Sequence, residues 1–214
     1  MKHIFVVLFI ALLCSSCKKD GASPTQSLGS QEKVTDYYPL TIGNYWIYQQ
    51  YTADTSLVFT PMNRYDSVYV EKDSLYNGNI YKVVRSSFWS NVNLIRDSSD
   101  YLVSNNGVKL FTIKQDAGIL GAKYPYGPDD SLFLDTWEMH NTDSVCNVPA
   151  GQFQAKYVII YLSSTNPQLP VYPRFASSCC YAYVKNIGQV YERLGYFPGP
   201  NSFFDERLVR YHIN

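Results

Sequence analysis

The stretch YDSVYVEKDSLYNGNIYKVVR, running from Tyr65 to Arg85, decides the fold. Val68 and Val70 alternate with small or charged residues in its first half, and Tyr81 and Val83 do the same in its second. A two-residue period marks a strand with one face buried. Between the halves stands Asn77-Gly78, the dipeptide best able to take the positive φ values of a tight hairpin turn. A second hairpin follows, from Tyr101, Leu102 and Val103 through Asn105, Asn106 and Gly107 to Val108, Leu110, Phe111 and Ile113.

Working outward, the composition shifts at Asp36 to Tyr37, Tyr38, Pro39 and Leu40, and Gly43 to Tyr48 opens the first strand. Short strands are expected around Leu132 to Leu134 and Thr136 to His140. Val148 to Phe153 reads as a turn feeding a long strand, Ala155 to Leu162, which is apolar on both faces and so belongs inside the sheet. The last segments are Tyr181 to Val184, a turn at Asn186 to Gly188, Val190 to Leu194, and an alternating run from Glu206 to Ile213. Gln115 to Asp130 and Ser163 to Ser178 are rich in Gly or Pro and are expected to be irregular. No amphipathic helix of ten or more residues is found in the mature chain. The 20 Tyr, 11 Phe and 3 Trp among 214 residues suit pleated surfaces. The expectation is one all-β domain over residues 36–214, predominantly antiparallel and curved into a half-barrel, barrel or sandwich, with little helix outside the signal peptide.

The N-terminus carries an address. Met1 to Ser16 reads as a secretory signal, with Lys2 and His3 ahead of an apolar run from Ile4 to Leu13 that is too short to span a bilayer. Leu13-Cys14-Ser15-Ser16-Cys17 resembles the lipobox of bacterial lipoproteins, which implies that Cys17 receives the lipid and becomes the mature N-terminus. Residues 17–35 then form the lipidated Cys and a flexible tether rich in Ser, Gln, Gly and Lys. The chain is expected in a bacterial cell envelope, anchored by lipid to the outer membrane on its periplasmic face or the cell surface. With 18 Lys+Arg against 18 Asp+Glu there is no basic excess for nucleic acid.

Three short motifs carry a wider resemblance: Tyr38-Pro39-Leu40-x-x-Gly43-Asn44-x-Trp46-x-Tyr48, then Val148-Pro149-Ala150-Gly151-x-Phe153, then Ile187-Gly188-x-Val190. In this order they resemble uncharacterised lipoproteins of the Bacteroidota, over nearly all of the mature chain. The resemblance implies an envelope-exposed β-rich domain and brings no catalytic residues with it. Gly43 and Gly151 read as turn positions, and Trp46 and Phe153 as core anchors.

Candidate chemistry is sparse. His140 and His212 are the histidines left after signal removal, and Glu138 sits two residues from His140, so on a strand the pair shares one face. The pair lacks a third ligand at any zinc-like spacing, and no phosphate loop or Gly-x-Ser-x-Gly elbow occurs, so neither a metal, a cofactor nor a catalytic residue is expected. Cys146, Cys179 and Cys180 remain for an oxidising compartment. A bridge from Cys146 to Cys179 or Cys180 would close a loop of more than thirty residues and contribute roughly 3 to 4 kcal/mol. Asp precedes Ser or Thr at seven positions, and Ser67, Ser74, Ser131 and Ser144, each followed by an aliphatic residue, resemble the acceptors of Bacteroidota O-glycosylation. The alternative is that Asp-Ser marks strand ends by bonding to nearby backbone. Most tyrosines are read as the packing layer of the strands. Tyr124, Tyr126, Tyr172 and Phe175, on the two loop stretches, are candidate ligand contacts.

The function expected from these features is non-enzymatic: a lipid-anchored envelope protein whose loops bind a glycan, peptide, lipid or envelope partner. The alternative is a carrier holding a lipid or other hydrophobic molecule in a half-barrel cavity. A hydrolase or metal-dependent enzyme using Glu138 and His140 comes third.

Overall fold

The computed structural model describes residues 32–53, 58–90, 92–114, 118–123, 133–164, 179–196 and 202–214. One short helix, α1 (Val34–Tyr37), precedes twelve strands: β1 (Tyr45–Ala53), β2 (Phe59–Tyr76), β3 (Asn79–Ser86), β4 (Val92–Ser98), β5 (Tyr101–Ser104), β6 (Lys109–Thr112), β7 (Ile119–Lys123), β8 (Phe133–Val148), β9 (Gly151–Ser164), β10 (Cys179–Val184), β11 (Gly188–Tyr196) and β12 (Ser202–His212). All pair antiparallel in one sheet of order β6-β5-β4-β3-β2-β1-β12-β11-β10-β9-β8-β7. The two outermost strands, β6 and β7, follow one another in the chain and come into contact, so the sheet curls into a nearly closed barrel. Just past β6, the Lys114 carbonyl accepts a hydrogen bond from the Asn141 side chain on β8, which helps draw the edges together.

Both expected hairpins form. Asn77 and Gly78 adopt φ of 47° and 75° and join β2 to β3 with Tyr76 opposite Asn79. Tyr101 pairs with Thr112 in the second hairpin. Other elements run further than local pattern indicates. The short strands foreseen near Leu132 and Thr136 form one strand, β8, and β7 lies within the stretch expected to be an irregular loop. Gly121 sits at a break in the β7–β8 register, so glycine marks a bulge there rather than the end of the strand. Val34, in the stretch read as tether, is fully buried, and Lys185 pairs with Glu32 at 2.7 Å.

The barrel's inner face explains much of the tyrosine content. Tyr37, Tyr38, Tyr48 and Tyr183 are all buried there. Ring centroids lie 5.2 Å apart for Tyr37 and Phe111, 4.7 Å for Phe111 and Tyr183, and 5.4 Å for Tyr38 and Trp46. The three short motifs meet in this layer. Trp46 Nε1–H donates to the Ile187 carbonyl at 2.6 Å, and the Tyr48 hydroxyl donates to the Gln189 carbonyl at 2.8 Å. Ala150 N–H donates to the Leu208 carbonyl at 2.9 Å, beside the point where the β1–β12 register shifts. Gly188 has φ of +108°, and a β-carbon there would lie 3.0 Å from Trp46 Nε1, so glycine is what lets the indole seat itself.

Candidate functional site

The register across the middle of the sheet builds a row of polar side chains on the inner face. Gln50 on β1 lies opposite Glu206 on β12, Glu206 opposite Glu192 on β11, and Glu192 opposite Tyr181 on β10. Directly opposed residues of antiparallel strands project from one face with β-carbons about 5 Å apart. On the other side of β1, Tyr48 lies opposite Asp66 of β2. Gln50 and Asp66 are fully buried and Glu206 is 4% exposed. These residues point inward because they keep the alternation of Trp46 and Tyr48 on β1 and of Leu208 on β12.

The row borders a cleft of about 320 Å³. Its walls bring together Asp66, Glu192 and Glu206 with the rings of Tyr38, Tyr48 and Tyr181. Trp89 and Asn93, both exposed, mark the open side. A wider but shallow depression beside Pro39, Leu40 and Lys82 gathers no comparable chemistry.

The three carboxylates are held differently. Asp66 accepts from the Ser86 hydroxyl at 2.7 Å, the Ser87 hydroxyl at 3.0 Å and Phe88 N–H at 2.9 Å, which fixes the bend after β3. Gln189 Nε2 donates to Glu192 at 2.9 Å. Glu206 accepts from Gln50 Nε2 at 3.0 Å and from the Trp89 indole. Removal from bulk water, then the opposing Glu206 and the nearby Asp66, push the Glu192 carboxyl up to about 8, against the pull of Gln189. Burial and Asp66 raise Glu206 to about 7, against the hydrogen bonds from Gln50 and Trp89. Near neutral pH the pair therefore still holds protons, because two bare carboxylates facing each other across adjacent strands repel. Gln50 Oε1, fully buried beside Glu206, has no hydrogen-bond partner among the described residues.

Of the residues singled out from sequence, those that the structure describes do not line this cleft. Cys17, Tyr124, Tyr126, Ser131, Tyr172 and Phe175 lie outside the described residues. Glu138 and His140 do share a face of β8, 3.8 Å apart, with the Tyr161 hydroxyl 3.2 Å from His140 Nε2. Among the described residues, no group of three His, Cys, Asp or Glu is placed to hold a metal. Ser67 and Ser74 are half-buried on β2, and Ser144 is exposed on β8. The aspartates before them have structural partners: Asp66 as above, Asp73 with Lys82 at 2.6 Å, and Asp143 with Lys156 at 3.1 Å.

The expected disulfide is not formed: among the described residues, Cys146, Cys179 and Cys180 are in no bridge. Cys146 lies opposite Phe153 near one end of β9, whereas Cys180 and Cys179 lie opposite Ile159 and Ile160. Between these positions Tyr157 hydrogen-bonds the Cys146 sulfur and occupies it. Cys179 and Cys180 are successive residues of one strand and face opposite sides of the sheet, so they do not bridge each other either.

Sequence reasoning did not single out Glu192 and Glu206. A usable signal was present, since Val190-x-Glu192 and Glu206-x-Leu208 each put a glutamate in phase with a buried apolar residue.

No protein-family model matches the chain, and no curated protein does. A Bacteroides fragilis crystal structure, described as that of an exported protein with a YmcC-like fold, is similar over 80% of this chain and 96% of its own, at 12% identity and a TM-score of 0.37.

Proposed function

We propose that this domain is a non-enzymatic binding module of the cell envelope, tethered through a lipid on Cys17, and that it holds a small polar ligand in the barrel cleft. The observation that carries the reading is Glu192 directly opposite Glu206 on the cleft wall. Like charges so placed weaken a sheet, and departures from local consistency of this kind concentrate at functional sites. The volume suits a small molecule, and rings with a few convergent polar groups are the usual lining of such sites. A lipid carrier would need hydrocarbon where this cleft presents carboxylates.

The test is to close the cleft without touching its carboxylates. Asn93 lies on the rim, exposed, so Asn93→Trp should obstruct entry while leaving the core intact. Small molecules that copurify with the wild-type protein, identified by mass spectrometry of denatured material, should be depleted from the variant. Equal recovery from both would overturn the reading.

A further inference from the structure

Resting on that reading, we infer that the ligand is an organic ammonium ion: a protonated primary amine on a short apolar or aromatic body, with its N–H groups shared by Glu192 and Glu206. The inner end of the cleft presents acceptors. Glu192 and Glu206 face each other on the cleft wall and Asp66 stands nearby, while Gln50, behind Glu206, donates its amide to that carboxylate. An ammonium brings three donors and no acceptor, which is the complement of that wall. A neutral sugar or alcohol brings hydroxyls that need donors as well as acceptors, and it cannot offset the opposition of two carboxylates. A carboxylic acid would add a further negative charge.

The walls suit the rest of such a molecule. Tyr38, Tyr48 and Tyr181 supply faces for an apolar body, and aromatic faces also attract cations. Arg85 lies on the wall too, but its Nε is held by Glu71 at 2.7 Å, so its charge is already engaged. Among the described residues, the groups facing the glutamate pair are Asp66 from β2, Arg85 with Glu71, the phenols of Tyr38, Tyr48 and Tyr181, Gln50 from β1, Gln189 from β11, and Trp89. An ammonium entering the cleft displaces a proton held by the glutamates to solvent, and two carboxylates then hold one cation. Binding is coupled to proton release and strengthens as pH rises, up to the point where the amine itself loses its proton.

Isothermal calorimetry on the soluble mature protein tests this with three probes of one shape: phenethylammonium chloride, phenethyl alcohol and 3-phenylpropionate. The ammonium should bind, roughly tenfold more tightly at pH 8.5 than at pH 6, with proton release visible as a dependence of the heat on buffer ionisation enthalpy. Glu206→Gln and Glu192→Gln should each weaken it about tenfold or more and flatten the pH dependence. Glu192 is the less buried of the two, so its variant serves if Glu206→Gln fails to fold. If the alcohol binds as well as the ammonium and Asn93→Trp blocks both, the ligand class is wrong and the cleft reading stands. If no probe binds wild type, or if neither glutamate variant alters binding, the inference is overturned; depletion of copurifying molecules by Asn93→Trp still decides the cleft reading separately.

Discussion

Glu192 on β11 and Glu206 on β12 stand directly opposite each other on the inner face of the barrel, with Glu206 almost fully buried. Both carboxyls hold their protons to higher pH in the folded chain than in the unfolded one. Folding therefore takes up protons across the window between the ordinary glutamate value and about 8. The stability this adds is fully present below about pH 4.5 and is lost as pH rises through the folded values. The melting midpoint is predicted to be higher at pH 6 than at pH 9 in ligand-free protein. Calorimetric scans across that range check it, and a midpoint that stays flat or climbs would contradict the assignment.

At pH 9, where the opposition is greatest, Glu206→Gln is predicted to stabilise the fold. The amide keeps the size of the side chain and can still bond to Gln50. Relief of about 1 kcal/mol corresponds to roughly 2–4 °C in the melting midpoint. A loss of stability at pH 9 would mean that hydrogen bonding by the carboxylate outweighs the repulsion.

Gly188→Ala is predicted to destabilise by about 3 kcal/mol, combining left-handed backbone strain with a methyl forced against the Trp46 indole. Gly78→Ala provides the comparison: its φ is also positive, at +75°, but the added β-carbon meets open space, so a loss of about 1 kcal/mol is expected. Urea midpoints of the two variants separate the steric part from the conformational part. Equal losses would show that the indole yields freely.

Cys17→Ser is predicted to move the protein from the membrane to the soluble fraction of fractionated cells. Retention in membranes through a high-salt wash would rule out the lipid at Cys17 as the anchor.

The fold was more legible in the sequence than the site was. Asn77-Gly78 announces its hairpin because few dipeptides take two positive φ values, and the alternation around it needs only a short window. β7 was hidden because Gly118 and Gly121 read as punctuation, while its pairing with β8 is what sets it as a strand. The cleft was hidden for a different reason. Glu192 and Glu206 meet across the β11–β12 hairpin, but Tyr48 and Asp66 join them only through the pairing of β1 with β12, and no local pattern encodes that pairing. The Cys146 expectation rested on counting thiols and could not anticipate that Tyr157 would take the sulfur.

In this sheet every neighbouring pair of strands is consecutive in the chain except β1 and β12, where Tyr45 meets His212. Strands β1 to β6 and β7 to β12 can each zip up by local hairpins, whereas the joint at the centre must wait for a loop spanning nearly the whole domain to close. That joint is also where the cleft comes into being, since Tyr48 and Asp66 belong to the first half and Glu192 and Glu206 to the second. Completion of folding and competence to bind are thus one event. A ligand in the cleft acts as a clasp between the halves, and its occupancy should be felt as slower unfolding more than as faster folding.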